Sequence, residues 1–324
     1  MRILVTGASG LLGVNLALEA ARQHEVVGVV NQNLLNTSAF DIRQMDLTQG
    51  VEPGSSLIED LLADIRPDWV IHCAAQANID VCEKEPDLAR RQNVEVPRRL
   101  AQAVHTAQGR YTNGAAGGPR LLHVSTDAVF DGLLPLEAGG YSESDPTNPQ
   151  GVYAFTKLEA EQAVQQADPS ALVVRVNLIG WSTSGKRSLA EFFYTNLSAG
   201  IPIRGFRDIY FCPLLVNDLA HIFIQMLELR LNGLYHAFSR DCSSKYDFGV
   251  AVAQRFGFDP GLISPISVND ARLSAARSPN LNMRTDKLAL ALNRPLPSWR
   301  DSLDKFYQLQ MEGYPASLLD MQVH

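Results

Sequence analysis

No stretch of the 324-residue chain is apolar for long enough to cross a bilayer, and the N-terminus shows neither the basic flank nor the small-residue cleavage site of a secretory leader. A cytoplasmic location is therefore expected, without a membrane partner. Basic charge is scarce as well. Twenty-eight Lys and Arg stand against 35 Asp and Glu, a formal charge of −7, which argues against broad contact with nucleic acid or anionic lipid. A phosphorylated ligand would need a local basic pocket. The four cysteines, Cys73, Cys82, Cys212 and Cys242, lack the close pairing of a metal site and the regular framework of a disulfide scaffold. Buried free thiols in a reducing compartment are expected, and no metal. No internal repeat and no polar low-complexity tract interrupts the chain.

What is present begins at the first residue. The apolar run Ile3-Leu4-Val5 stops at Thr6-Gly7, and Gly7, Gly10 and Gly13 follow at even spacing before apolar residues take up helical spacing at Leu12, Leu16 and Ala20. This reads as strand, glycine loop, helix. Gly7 lets the chain turn, Gly10 lets backbone N–H groups approach a pyrophosphate, and Gly13 lets the helix pack closely, while the helix N-terminus favours an anion at the same place. An ordinary glycine-rich turn gives the same letters, so the rest of the chain must decide.

Alternating strands and helices continue, as expected of a doubly wound α/β fold of the Rossmann type with a parallel sheet covered on both faces. The second strand, Glu25 to Val30, ends at Asn31-Gln32-Asn33, which offers neither an acid for the ribose hydroxyls nor a base for a 2′-phosphate. NADP and NAD therefore both remain open. Asp46 lies where it contacts adenine or caps a turn. A strand from Asp68 to Cys73 ends in Ala74-Ala75, small enough to let a cofactor cross the strand ends. A long helix is read from Asp87 to Ala107 with a kink at Pro97. The glycine-rich stretch from Gln108 to Pro119 reads as a mobile surface insertion.

A strand over Leu121 to Val124 ends in Ser125-Thr126-Asp127, and the next helix begins Val152-Tyr153-Ala154-Phe155-Thr156-Lys157. Tyr153 and Lys157 are one helical turn apart on one face. A free tyrosine titrates near ~10, and a neighbouring ammonium lowers that value, making the phenol a better acid at neutral pH. Thr126 could hold the same carbonyl oxygen while a nicotinamide delivers hydride. Tyr-x-x-x-Lys alone is a frequent surface pair. The order of glycine loop, Ala-Ala strand end, Ser-Thr strand end and Tyr-x-x-x-Lys gives it weight.

These motifs resemble the extended short-chain dehydrogenase/reductase superfamily. Within it, Ser125 to Gly132 (STDAVFDG), Asp80 to Pro86 (DVCEKEP), Val152 to Lys157 and Arg277 to Leu288 are similar to the dTDP-4-dehydrorhamnose reductase group. The resemblance implies a catalytic set of Thr126, Tyr153 and Lys157, with Tyr153 giving the proton and Lys157 also binding the nicotinamide ribose. It implies cofactor contacts at Gly7, Gly10, Leu11, Leu12, Gly13, Asp46, Ala74 and Ala75. It further implies an NAD(P)H-dependent reductase acting on a nucleotide-linked 4-keto-deoxysugar. Related dehydratases carry a glutamate where this chain has Ala128, so elimination of water is not expected. The reductases usually carry tyrosine at Ala128 and tryptophan at Leu178, which leaves the sugar open.

The expected division is a dinucleotide-binding unit over 1–178 with 208–236 and a smaller, mainly C-terminal substrate-binding domain over 179–207 with 237–324. Phe130, Trp181 and Arg204 are candidates for the sugar site, and Lys186, Arg187, Arg207, Arg272 and Arg284 join Arg204 as candidates for a diphosphate. A homodimer is admissible. Two other readings stay open: an epimerase that retains NAD, and a non-catalytic NADP-binding regulatory subunit like the similar β subunit of methionine adenosyltransferase.

Overall fold

Aliphatic residues that alternate between two separate hydrophobic clusters mark strands covered on both faces. In β1 (Arg2–Thr6), Ile3 and Val5 enter one cluster and Leu4 the other, all wholly buried. The computed structural model describes residues 1–108, 118–271 and 278–323. Most of the predicted glycine-rich insertion, and Arg272 and Arg277, lie outside the described residues. β1 belongs to a seven-stranded sheet with β2 (Glu25–Val30), β3 (Asp41–Gln44), β4 (Trp69–His72), β5 (Arg120–Thr126), β6 (Leu172–Val176) and β7 (Gly233–Ala237). Their order is β7-β6-β5-β4-β1-β2-β3, and every pairing is parallel. This is the expected Rossmann-type α/β fold. The chain runs outward from β1 to β3 and then crosses to β4, so a crevice opens at the carboxyl ends of β1 and β4.

Helices α1 (Leu11–Ala21) and α5 (Val216–Glu228) pack on each other and cover one face, while α2 (Leu57–Ile65), α3 (Val96–Ala107) and α4 (Val152–Ala167) cover the other. The long helix read over Asp87 to Ala107 is divided: a short helix Pro86–Arg90, a wide π-type turn Arg91–Glu95 and then α3. Pro97 falls in the first turn of α3, where its missing N–H is harmless. The disturbance it was expected to cause is absorbed one turn earlier.

Beyond β6 the elements are short. Leu178–Ile179 pairs with Leu214–Leu215, Ile203–Phe206 with Ile263–Ile266, and Tyr210–Phe211 with Ser243–Ser244. Helices Leu189–Ser198 and Trp299–Met311 start with reciprocal capping boxes from Ser188/Glu191 and Ser298/Asp301. Trp181 stacks on Phe306 at 3.9 Å and gives its indole N–H to the Phe306 carbonyl. Burial of each such ring stabilises the junction by about 1.5–3 kcal/mol. Tyr314 then returns to the start of the chain, giving its hydroxyl proton to Asn15 Oδ1 at 2.7 Å.

One cysteine expectation fails. In the antiparallel ladder Ser243 faces Phe211 and Ser244 faces Tyr210, so the next pair outward is Cys242 opposite Cys212. Their Cα atoms are 4.2 Å apart and the sulfurs are bonded, although 30 residues separate them in sequence. Cys73 and Cys82 are free. Among the described residues no helix is long and apolar enough to cross a membrane, and no three metal-ligating side chains cluster.

Candidate active site

The glycine loop sits at the crevice. Gly7 adopts φ +70, and a Cβ on it would lie 2.7 Å from the backbone of Ala74, so β1 and β4 can approach here only through glycine. A Cβ on Gly13 would lie 2.1 Å from the Gly7 carbonyl oxygen. The close contact expected of Gly13 is thus made within the loop itself. Gly10 is the N-cap of α1 and provides no capping side chain, which leaves the first N–H groups of the helix available to an anion. Leu11 and Leu12 turn their side chains into the core, so they can offer only backbone to a ligand.

A cavity of about 300 Å³ runs along this loop, lined by Gly7, Ser9 and Gly10, by Asn31 to Asn33, by Asp46 to Thr48 and by Cys73 to Gln76. Asp46 takes the capping role considered for it and lies at the cavity wall. Its carboxylate accepts from Thr48 N at 2.9 Å and from Thr48 Oγ1 at 2.7 Å as a cap, and the residue also lines the cavity. The shape and chemistry fit a dinucleotide: uncapped N–H groups for the pyrophosphate, small Ala74 and Ala75 at the crossing, and amides where the adenosine ribose would lie. Arg43, the nearest basic residue by sequence, is turned to Asp64 at 3.6 Å.

A second cavity of about 430 Å³ lies at the start of α4, lined by Ala128, Gly151, Tyr153, Asn177, Tyr210, Phe211, Lys245, Ser278 and others. Tyr153 faces it. Its phenol is hydrogen-bonded to Thr126, which caps the turn after β5 by accepting from Ala128 N at 3.2 Å and donates to Asp127 Oδ1 at 3.2 Å. One turn on, Lys157 is buried and gives Nζ–H to the Val124 carbonyl at 2.7 Å. Thr126 and Tyr153 are therefore joined at the edge of this cavity, with the buried Lys157 one helical turn behind.

The electrostatics depart from the sequence argument. Burial pushes the Tyr153 phenol up to about 12, with Asp127 and Cys82 acting in the same sense and the Thr126 hydrogen bond opposing. The expected depression by Lys157 is absent, because the ammonium is engaged behind the tyrosine. Burial instead brings Lys157 down to about 8, against the opposing pull of Glu161 and Cys73. His72 is held neutral, down to about 3, first by burial and then by Lys157. Burial also raises Asp127, against hydrogen bonds from Asn177 and Thr126 and the charge of Lys245.

Residues 1–311 match the family described as RmlD substrate binding domain. The chain belongs to that family. It is 33% identical over 308 residues to the dTDP-4-dehydrorhamnose reductase of Mycobacterium tuberculosis (strain H37Rv), covering 93% of this chain and 91% of the relative. The structure of a dTDP-4-dehydrorhamnose reductase from Bacillus anthracis in complex with NADP superposes with a TM-score of 0.78 at 26% identity, covering 95% and 98% of the two chains. The β subunit of methionine adenosyltransferase 2 from Bos taurus is also similar, at 28% identity over 86% of this chain and 78% of the relative.

Within this RmlD-like frame, several predicted sugar contacts move away from the cavity. Phe130 is wholly buried, stacked on Tyr141 at 4.3 Å, and Trp181 is committed to Phe306. Their places beside strand ends put them under the site rather than in its wall. Arg204 and Arg207 are exposed and line neither cavity, Lys186 is likewise exposed, and Arg284 is paired with Asp286 at 2.8 Å. Arg187 reaches the dinucleotide cavity instead. Lys245 and Asn177 were missed. Lys245 directly follows Ser244, the N-cap of helix Lys245–Phe256, a position where a cation opposes the helix dipole. That mismatch was the available signal.

Proposed function

We propose that this chain is an NAD(P)H-dependent reductase of a nucleotide-linked 4-keto-deoxysugar of the dTDP-4-dehydrorhamnose type. The observation that carries the reading is Tyr153, hydrogen-bonded to Thr126 and one turn from Lys157, facing a polar cavity in a chain that also has a glycine-loop cavity suited to a dinucleotide. A bound reduced nicotinamide supplies hydride to the carbonyl carbon. Thr126 and Tyr153 hold the carbonyl oxygen, and Tyr153 gives it the phenolic proton, so that hydride and proton together complete the alcohol. The tyrosinate left behind recovers a proton from solvent, and Lys157, one helical turn behind it, is placed to hold the nicotinamide ribose. Residues 208–236 rejoin the dinucleotide-binding unit, and the remainder after 178 forms most of the substrate side.

Two details refine the substrate end. Ala128 places a methyl group where a base would be needed to draw a proton from the sugar ring, which favours reduction over dehydration. Lys245, close enough to Asp127 to lower its carboxyl pKa, supplies a cation to a cavity that otherwise has Glu83 as its charged lining residue. Asn31 at the end of β2 neither repels a 2′-phosphate nor requires one, which favours use of both NADPH and NADH. The assembled catalytic trio supports an enzyme over a binding subunit.

The test is loss of reduced-nicotinamide absorbance with dTDP-4-dehydro-L-rhamnose and related keto sugars, using protein dialysed free of nucleotide. Turnover of one of them with stoichiometric NAD(P)H consumption is expected. Interconversion of a sugar nucleotide without net NAD(P)H consumption would replace the reading with an epimerase.

A further inference from the structure

Glu161 lies on the face of α4 that carries Tyr153 and Lys157, one further turn along, and it is almost completely buried. It touches neither cavity. Its Oε1 accepts from Ser125 Oγ at 2.5 Å and from Arg175 Nε at 2.9 Å, and its Oε2 accepts from Arg175 Nη2 at 2.7 Å. Lys157 Nζ is tied to the carbonyl of Val124 and Glu161 to the hydroxyl of Ser125, successive residues of β5. Arg175 stands on β6, its guanidinium over the Phe130 ring at 5.0 Å and in contact with His236 Nε2 of β7 at 3.3 Å. Over β5, β6 and β7, ammonium, carboxylate, guanidinium and neutral imidazole therefore follow one another in order.

We infer that the buried Glu161–Arg175 pair is a positioning element for Lys157: its negative end lies one helical turn from the ammonium on the same face of α4, and its positive end stands on β6. A buried ion pair is often no more stabilising than apolar residues of the same volume, so its retention behind the site calls for another reason. The other groups facing Lys157 supply no countercharge. On β4, His72 is neutral, with Nδ1 2.7 Å from Thr6 Oγ1, and next to it burial pushes the Cys73 thiol up to about 12. On β5, His123 stacks on His72 at 5.6 Å, is wholly buried and is also held neutral, first by burial. On α4, Tyr153 stays a phenol. Among the described residues Glu161 is thus the carboxylate that opposes the burial of Lys157, with Arg175 paired to it at 2.7 Å and Ser125 fixing its direction. His236 gives no charge, since burial and Arg175 bring it down to about 3.

The inference rests on the proposed reductase reading for the role of Lys157, and the test has a readout that does not. Lysine labelled with 13C at Cε gives a titration of Lys157 by NMR in the nucleotide-free protein, assigned by the peak lost in Lys157→Met. The wild-type midpoint is expected at about 8. Glu161→Gln leaves the Arg175 charge buried without a carboxylate and is expected to lower the melting temperature. Glu161→Gln combined with Arg175→Gln removes both charges and keeps a hydrogen-bonded pair. In that folded double variant the midpoint is expected to fall by about one pH unit, a tenfold change in the acid constant, and the alkaline limb of kcat/KM to move by the same amount. A double variant that loses thermal stability while its Lys157 midpoint stays in place would overturn the inference and leave the pair a structural strut. A shifted midpoint in a protein that reduces no keto sugar would uphold it and sink the reductase reading instead.

Discussion

The two ends of the site are built by different means. The dinucleotide end is made largely of backbone from contiguous stretches: a glycine loop, the uncapped start of α1 and the Ala74-Ala75 strand end. The substrate end is made of side chains from well-separated segments, with Tyr153 on α4, Asn177 after β6, Tyr210 and Phe211 on a short strand, Lys245 at a helix start and Ser278 near the C-terminal region. A backbone site depends on where side chains are missing, so its signature is spacing. A side-chain site depends on tertiary assembly, and its members are adjacent only in the fold.

The sharpest break in that comparison is at the residue between the two ends. Tyr153→Phe removes one proton and its hydrogen bond to Thr126 while leaving both cavities lined as before. A drop in kcat of about 10²- to 10⁴-fold is expected, with little change in the affinity for NADPH or for the sugar nucleotide. Steady-state kinetics together with direct titration of each ligand checks this. Because the Tyr153 phenol lies at about 12 and Lys157 at about 8, the alkaline limb of the rate should report Lys157. Activity is then full below about 8 and falls as pH rises through it, since deprotonation removes the buried ammonium behind the tyrosine.

The legibility of the chain follows the same division. Gly7, Gly10, Gly13, Ala74 and Ala75 line or shape one cavity, and Thr126, Tyr153 and Lys157 come to one place because helical periodicity and strand ends are local properties. Phe130, Trp181 and Arg204 went astray because residue type near a strand end does not say which way a side chain turns. Lys245 was missed since its relation to Asp127 spans the fold. The Cys212–Cys242 bond was missed for a related reason: the register of Tyr210–Phe211 against Ser243–Ser244 creates it, and no spacing in the sequence announces that register. The expected effect of Lys157 on Tyr153 failed on a finer point, because sharing a helical face does not fix where an ammonium points.

At the dinucleotide end, Gly13→Ala should act through backbone alone. The added Cβ would meet the Gly7 carbonyl oxygen at 2.1 Å, and both partners are main chain of the same tight loop. Relief requires the loop to shift, at a cost of about 1–3 kcal/mol, which corresponds to roughly 10- to 100-fold weaker NADPH binding if the strain falls on the binding-competent form. Fluorescence titration with NADPH reads this directly. Binding of the sugar nucleotide should be unchanged, and equal weakening of both ligands would show that the two ends are mechanically one.

The smallest expected effect is the converse change at the substrate end. Lys245→Met keeps the length of the side chain and most of its apolar stem but removes the cation that lines the cavity and lowers the Asp127 carboxyl pKa. Helix Lys245–Phe256 should be no less stable, since a positive charge in its first turn opposes the dipole and the cap from Ser244 to Asp247 N at 3.0 Å remains. A substrate diphosphate or sugar hydroxyl that met the ammonium would lose one charge-assisted hydrogen bond, about 1.5 kcal/mol, so KM for the sugar nucleotide should rise roughly tenfold. With Tyr153 and Lys157 untouched, kcat and the KM for NADPH should stay within about twofold. A fall in kcat at unchanged KM would mean that Lys245 acts on the reacting centre through Asp127 instead. That carboxyl, raised by burial and lowered by the lysine, would then stay protonated to higher pH in the variant, and the acid limb of the rate would move up with it.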